Sequence, residues 1–365
     1  MITLRRITAG QLAAFVESEE FTHFSELPIT KQRAMSQAGN PRAKPDDTVL
    51  ILANRDGQLV GYIGLLPDEL HGPSGMLRAG WLSTLWVDPR QRGSGIGKRL
   101  LDEAFEAWHD HVAVTNYTPE AARLYHRSGR FVMAKEPAGV RGYLRFNLHL
   151  LLPARYPRYK RWTWALWFID LISNVPNDVR IWIWHRLNRI RIRYHETRTI
   201  DEEMNALIES NLDQHLMRRR KHDLEWIINS PWILQGTRDK RYLFSSADSR
   251  FEQKFLKVLG SDGALSGFVM ITIRNRDMRV PYCFVKENSA YGDIAAVMVE
   301  MLIRERLNMI TVLNAGLAGA LRRRGSFWLR RKFSRPYLFS KTLWMRLGEP
   351  NHSLIQDGDA DAAFV

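Results

Sequence analysis

Apolar and polar positions alternate from the start of the chain. Residues 2 to 6 read as a strand, and residues 11 to 19 return their apolar members at helical spacing. A second helical stretch, residues 21 to 37, carries Phe24, Glu26, Leu27 and Met35 and breaks at Asn40-Pro41. Residues 48 to 53 and 59 to 66 are strand-like and flank Asp56-Gly57, a hairpin signal. A loop containing Pro67, Gly72, Pro73 and Gly75 then leads to the apolar run 81 to 87, which Asp88-Pro89 stops. Beyond it Ile96, Leu100, Leu101, Ala104, Phe105 and Trp108 share one helical face. A strand at 111 to 115 ends at Asn116, a helix opens at Thr118-Pro119 and stops at Gly129, and runs at 131 to 134 and 141 to 148 read as closing strands.

The second half repeats this order. Residues 264 to 273 and 278 to 285 form a hairpin pattern, 292 to 307 a helix, and 310 to 314 a strand ending at Asn314. An alanine-containing helix to Gly325 and two strand-like runs follow. The pattern predicts an α/β protein with mixed sheets and two similar units.

Between the halves, residues 151 to 194 hold nine arginines and lysines against Asp170 and Asp178, and five of the twelve tryptophans. A helical connector with buried tryptophans is one reading, an interfacial membrane contact a second, and a nucleic-acid surface a third. The expected layout is therefore a first domain at 1–149, a basic tryptophan-rich connector at 150–194, a second domain at 195–347 and an acidic tail at 348–365. Asp357, Asp359 and Asp361 alternate as calcium ligands do, but the later glutamate of such loops is missing, so no metal site is expected. Arg218 to Lys221 read as four cations on a helix, either a solvated face or a site for an anionic group.

At 365 residues two domains are expected. No stretch approaches the roughly 20 apolar residues of a membrane span, and residues 1 to 15 lack the apolar core of a secretory signal. The single cysteine, Cys283, excludes an internal disulfide and a thiolate metal cluster and fits a reducing cytoplasm. The net charge of +14 favours an anionic partner without choosing one.

The candidate chemistry lies in Arg92-Gly93-Ser94-Gly95-Ile96-Gly97-Lys98, between the 81 to 87 strand and the following helix. Three glycines in five residues let the backbone turn tightly before a helix N-terminus, which makes an anion cradle. It is not a Walker loop, because Arg92 stands five residues before Gly97 and Arg99 follows Lys98. It is not a dinucleotide turn, because the glycines run Gly-x-Gly-x-Gly. Val87, Pro89, Arg92, Gly95 and Gly97 instead closely resemble the acyl-CoA loop of the GNAT acyltransferase superfamily. Asn116, Ala121, Ala122, Leu124, Tyr125, Gly129 and Phe131 are similar to its second signature.

That resemblance covers about residues 1 to 149 and implies the GNAT acyl-CoA N-acyltransferase fold, with acetyl-CoA or another acyl-CoA as co-substrate and no metal. The second half then resembles a degenerate copy, as in tandem-GNAT and Fem-type transferases, because residues 286 to 292 lack the glycine loop. Carried over residue by residue, the backbone of Leu85, Trp86 and Val87 would hold the pantetheine arm, and Arg92, Gly93, Ser94, Gly95, Ile96, Gly97 and Lys98 the pyrophosphate. Asn116 would meet the arm from the neighbouring strand, and Tyr125 would be the general acid. Many family members place a carboxylate on the strand before the loop, where this chain offers Ser83 and Thr84; Glu69, Asp68 and Glu26 are the nearby acids.

The implied activity is N-acetyl or other N-acyl transfer to a primary amine of a small, anionic acceptor, such as an amino sugar of bacterial polysaccharide biosynthesis. A non-catalytic acyl-CoA sensor and a Fem-like aminoacyl transferase are the alternatives. A cytoplasmic protein, free of nucleic acid and peripheral to the inner membrane through residues 151 to 194, completes the expectation.

Overall fold

The computed structural model describes residues 1–188, 192–260 and 262–364. In chain order it opens with β1 (Ile2–Thr8), α1 (Ala9–Glu17), α2 (Glu19–Thr22), α3 (Lys31–Ala38), β2 (Thr48–Arg55), β3 (Gln58–Gly72), β4 (Gly75–Val87), α4 (Ile96–Ala107), β5 (Val112–Val114), α5 (Pro119–Ser128) and β6 (Phe131–Lys135). Then come β7 (Ala138–Tyr143), α6 (Leu148–Arg155), α7 (Thr163–Leu187), β8 (Tyr194–Thr197), α8 (Glu202–Asn211), α9 (Lys221–Asn229) and the short β9 (Leu234–Gln235) and β10 (Ala247–Asp248). The last part holds β11 (Phe251–Leu259), β12 (Leu265–Arg274), β13 (Asp277–Val285), α10 (Ala290–Arg304), β14 (Met309–Val312), α11 (Ala315–Arg322), β15 (Leu329–Ser334), β16 (Tyr337–Ser340) and α12 (Lys341–Arg346).

Two compact units result, and neither is continuous in sequence: residues 1–137, 198–251 and 335–365 form the first, and 138–197 with 252–334 the second. The expected boundaries at 149, 194 and 347 do not coincide with these units. Residues 198–251, expected in the second domain, pack in the first, where Tyr242 enters the same apolar cluster as Leu12, Phe15 and Ile29.

The first unit is a seven-stranded sheet in the order β1-β2-β3-β4-β5-β16-β6. Its β2–β3 turn places Asp56 and Gly57 at φ +51° and +79°, the left-handed pair that an Asp-Gly hairpin turn needs. On one face lie Ile96, Leu100, Leu101, Ala104 and Phe105 of α4, the stripe expected from the sequence, against Ile51, Ile63 and Leu82. The expected loop at 67 to 80 is instead a continuation of the β3–β4 hairpin, with Pro67 opposite Gly80 and Leu70 opposite Leu77. The expected long helix at 21 to 37 is two helices, because Thr30 caps a new start at Arg33 N while the Leu27 N–H is taken by Arg241 O.

The second unit repeats the strand order: β8-β11-β12-β13-β14-β7-β15. In each sheet the sixth place is filled by a strand from the other half of the sequence, β16 in the first and β7 in the second. The expectation that residues 141 to 148 close the first sheet is thus wrong. Gly139 and Gly142 are required where β7 sits: a Cβ on Gly139 would lie 1.8 Å from Val312 O, and one on Gly142 2.9 Å from the Phe327 ring. Four residues, Lys286 to Ser289, separate β13 from α10, too few for a glycine cradle. Cys283 is buried in β13, and burial pushes its thiol up to about 12, so it is inert at neutral pH.

Candidate active site

Three features of the first unit converge at the C-terminal end of β4. Strand β4 pairs in parallel with β5 only from Gly80 to Leu82, opposite Val112 to Val114. Beyond Leu82 the two strands part, leaving Leu85, Trp86 and Val87 paired to β3 on one side and to no strand on the other. The parting coincides with a bulge: Leu65 faces Leu82 while Ile63 faces Leu85, so Ser83 and Thr84 share the place of Gly64. A Cβ on Gly64 would sit 2.9 Å from Thr84 Oγ1, so glycine is what allows the bulge there.

The loop after β4 is the second feature. Asp88 caps a short turn at Pro89–Gln91 and accepts hydrogen bonds from Arg90. Gly93 and Gly95 lie at φ +85° and +82°, with open space where a side chain would project. Gly95 is the N-cap of α4 and supplies no side-chain cap, so the N–H groups of Ile96, Gly97 and Lys98 stay available at the positive end of the helix. Ile96 is buried and anchors the turn, while Arg92 to Gly95 and Lys98 are exposed.

The third feature is a polar chamber that the sequence reading assembled only in part. Asn116 follows β5 in the left-handed region at φ +51°. Tyr125, on α5, is buried with its ring edge-on to Tyr117 at 5.8 Å and against Phe131 at 5.4 Å. Burial, with the Asp361 and Tyr117 charges adding to it, raises the Tyr125 hydroxyl well above its ordinary range, so it keeps its proton. Ser83 accepts a hydrogen bond from Arg33 Nη2 at 2.6 Å and donates one to Asp361 Oδ2 at 2.8 Å. Arg33 also donates to the Tyr242 hydroxyl at 3.1 Å and stacks on Trp232 with 3.8 Å to the ring centroid.

Asp361 overturns the acidic-tail expectation. Residues 357 to 364 are buried in the first unit, with Phe364 stacked on Trp232 at 4.4 Å. The alternation that suggested a solvated tail instead gives each acid a separate anchor. Asp357 pairs with Arg335 at 2.8 Å, Asp359 accepts from Gln356 N at 2.8 Å, and Asp361 meets Ser83. Burial raises the Asp361 carboxyl above its ordinary value, against the pull of Ser83, Arg33, Arg335 and Asn116. Its Oδ1 is buried with no hydrogen-bond partner, as are Tyr62 Oη, Arg33 Nε and Glu26 Oε2. Buried polar atoms left open in this way mark a place for a polar ligand or water.

The other acids are placed elsewhere. Asp68 is held by Arg42 at 2.8 Å, Arg219 at 2.5 Å and Trp81 Nε1 at 3.1 Å, inside a buried ionic cluster. Glu69 pairs across the hairpin with Arg78, five residues and about 17 Å along β4 from Ser83. It lines a cavity of about 510 Å³ with His71, Arg218 and Arg220. Arg218 to Arg220 precede α9 instead of forming a basic helix face: Arg219 is buried, and Arg218 pairs with Asp213 at 2.9 Å. Among the described residues, no group of His, Cys, Asp or Glu side chains is arranged to hold a metal ion, and no helix is long and apolar enough to cross a membrane.

Comparison with known proteins agrees with this geometry. Residues 46–129, from β2 through the end of α5, match the family model "Acetyltransferase (GNAT) domain". No curated protein matches the chain in sequence. Among solved structures, a conserved protein of unknown function from Enterococcus faecalis V583, a probable N-acyltransferase, superposes with a TM-score of 0.50 at 10% identity, over 93% of this chain and 72% of that one. A GCN5-related N-acetyltransferase from Kribbella flavida gives 0.49 at 10% identity, over 92% and 71%. A tandem GNAT protein from the clavulanic acid biosynthesis pathway gives 0.48 at 13% identity, over 93% and 98%. Residues 46–129 thus match a GNAT acetyltransferase domain, and that segment carries the glycine loop ahead of α4, Asn116 and Tyr125.

Proposed function

We propose that the chain is an N-acyltransferase that moves an acyl group, acetyl in the simplest case, from acyl-CoA to a primary amine. The observation that carries this reading is the open edge of Leu85 to Val87 leading directly into the uncapped N-terminus of α4. The residues present fit acyl-CoA: an unpaired strand edge for the amides of the pantetheine arm, three free N–H groups and the helix dipole for the pyrophosphate, and Arg92, Lys98 and Arg99 beside them. Acyl-CoA supplies an activated thioester.

The chain's own groups then have distinct tasks. A backbone N–H of the Leu85 to Val87 edge polarises the acyl oxygen. Asp361 accepts a proton from the acceptor ammonium at its open Oδ1, while Ser83 holds Oδ2 and Arg33 orients Ser83. This replaces the missing strand carboxylate and replaces Glu69 as the base. As the free amine attacks the thioester carbon and the C–S bond breaks, Tyr125 delivers its hydroxyl proton to the departing thiolate and is reprotonated by the second proton that the nitrogen loses on becoming an amide. Burial raises the carboxyl of Asp361 above its ordinary value, as suits a proton acceptor, and raises the Tyr125 hydroxyl so that it keeps its proton for transfer.

The unpartnered Arg33 Nε suits an acceptor that also carries an anionic or hydroxyl-rich group, such as an amino sugar. Thiol release from acetyl-CoA, screened against amino sugars, amino acids, polyamines and peptides, tests the proposal. Turnover with any amine, abolished in Asp361→Asn, supports it. Tight acetyl-CoA binding with no turnover on any class would leave an acyl-CoA sensor instead, and transfer only from aminoacyl-tRNA would leave a Fem-like transferase.

A further inference from the structure

Helix α7 is inside out. Its polar residues face its own unit: Asp170 accepts from the N–H groups of Leu148 and His149 at 2.8 and 2.9 Å, Asn174 brackets the Phe146 backbone, and Asn177 donates to Leu144 O at 2.9 Å. Most of its apolar residues face solvent. Trp164 is 71% exposed, Trp182 59% and Val175 63%, and Trp167, Phe168, Ile169, Leu171, Ile172 and Ile183 are exposed beside them. The expectation of buried tryptophans is therefore wrong for Trp164, Trp167 and Trp182: hydrogen bonds from the polar face, together with the buried Leu166 and Ile181 and with Trp184 packed on the core, fasten the helix and leave most of its hydrophobic side free. At 25 residues it presents about 37 Å of such surface, far more than isolated exposed residues explain.

Two cationic features border that surface. Arg155, Arg158, Lys160 and Arg161 precede the helix, with Arg158 over the rings of Tyr156 and Tyr159, and no acid stands between Glu136 and the buried Asp170. Beside Trp167 and Leu171, a cavity of about 240 Å³ is lined by Arg145, Arg276 and Arg306 and by two acids already engaged, Asp170 by the Leu148 and His149 N–H groups and Asp178 by Arg145. Arg145 is engaged by Asp178 and Leu307 O. Arg276 and Arg306 are exposed, and no described residue pairs with either guanidinium. Arg189 and Arg191, also counted among the basic residues of this region, lie outside the described residues.

We propose that α7 and the basic segment before it dock on the surface of an anionic phospholipid bilayer, with Arg276 and Arg306 receiving a lipid phosphate at the rim. A helix without the length and hydropathy to cross lies in the interfacial plane, where tryptophan and tyrosine sit at headgroup level and cations meet the anionic surface. Unpaired guanidinium groups next to an apolar face match a phosphate above acyl chains better than they match a second apolar protein face.

The full chain, incubated with phosphatidylcholine vesicles with and without phosphatidylglycerol, tests this by co-sedimentation and by tryptophan quenching with brominated lipid. Binding is expected to be about tenfold or more tighter to the anionic vesicles and to weaken with salt. It is expected to fall about tenfold or more both in Trp164→Glu with Trp182→Glu and in Arg276→Glu with Arg306→Glu. All four positions are exposed, and unchanged thermal unfolding checks the variants; the wild-type lipid, salt and quenching series decides the matter without them. No binding, equal binding to both vesicle types, or self-association removed by the tryptophan variants without vesicle binding would overturn the proposal. The last result would make the surface a protein interface. None of these readouts depends on acyl transfer.

Discussion

Asp361 Oδ2 and Ser83 Oγ lie 2.8 Å apart although 278 positions separate them in the chain. A carboxylate from residue 361 thus reaches the bulge where β4 leaves β5. Asp361→Asn is expected to lower turnover roughly 100-fold or more while leaving acetyl-CoA affinity unchanged. The wild-type rate is expected to rise with pH as the raised Asp361 carboxyl ionises, and that acidic limb is expected to vanish in the variant. A kcat profile with the same acidic limb in both proteins would remove Asp361 as the base.

Tyr125→Phe is expected to lower kcat much more than it weakens CoA binding, because a general acid acts in the transition state. With the hydroxyl raised above its ordinary value, wild-type kcat should show no alkaline fall near pH 9 from this group. Steady-state rates across pH, with CoA affinity measured by calorimetry, check both statements.

Gly95 stands at φ +82° as the cap of α4. Gly95→Asp adds left-handed strain of about 1 kcal/mol and a negative charge where the N–H groups converge. Acetyl-CoA binding is expected to be lost by calorimetry, and Gly93→Asp at φ +85° should behave alike. Wild-type affinity in either variant would remove the loop as the pyrophosphate site.

Burial raises the Asp359 carboxyl to about 7 against the pull of Arg219 and the Gln356 amide. A carboxyl raised on folding binds more protons in the native than in the unfolded state, so its contribution is full below pH 4 and is lost as pH rises toward 7. Asp359→Asn is expected to raise the melting temperature at pH 8, where the wild type buries a charge, by more than at pH 5, and to change it little at pH 4 or below. Thermal melts of both proteins across that range are the measurement.

A chain ending at His149 is expected to be insoluble. It lacks β16, which pairs with both β5 and β6, and it lacks residues 198–251 of the same unit. A soluble 1–149 fragment that binds acetyl-CoA would show that the strand order of the first sheet can close without β16.

Local chemistry made the first unit readable. The Asp56-Gly57 turn, the α4 stripe, the Thr118-Pro119 helix start and the glycine loop are all short-range patterns, and each lies where the sequence puts it. What failed was long-range: residues 141 to 148 look like a closing strand in either sheet, and the pairing of β7 with β14 and β15 joins residues far apart in sequence, with Gly139 against Val312 and Gly142 against Phe327. Asp361 was missed because three alternating acids near a terminus look solvated, and their partners Arg335 and Ser83 lie far away in sequence or close only in space. The α7 tryptophans misled for the opposite reason, since Asp170 and Asn177, polar residues that usually face water, take the inward side.

The reciprocal placement of β7 and β16 bears on how the polypeptide is made. At roughly 5–20 residues per second, the ribosome takes about 10 to 40 s to deliver β16 after β6 has emerged, and until then the first sheet has a gap between β5 and β6. During synthesis the nascent first half must wait with strand edges exposed, open to chaperones or to capture by a neighbouring copy's β16. The same arrangement ties the two halves together in evolution: deleting either one would take a strand from the sheet of the other.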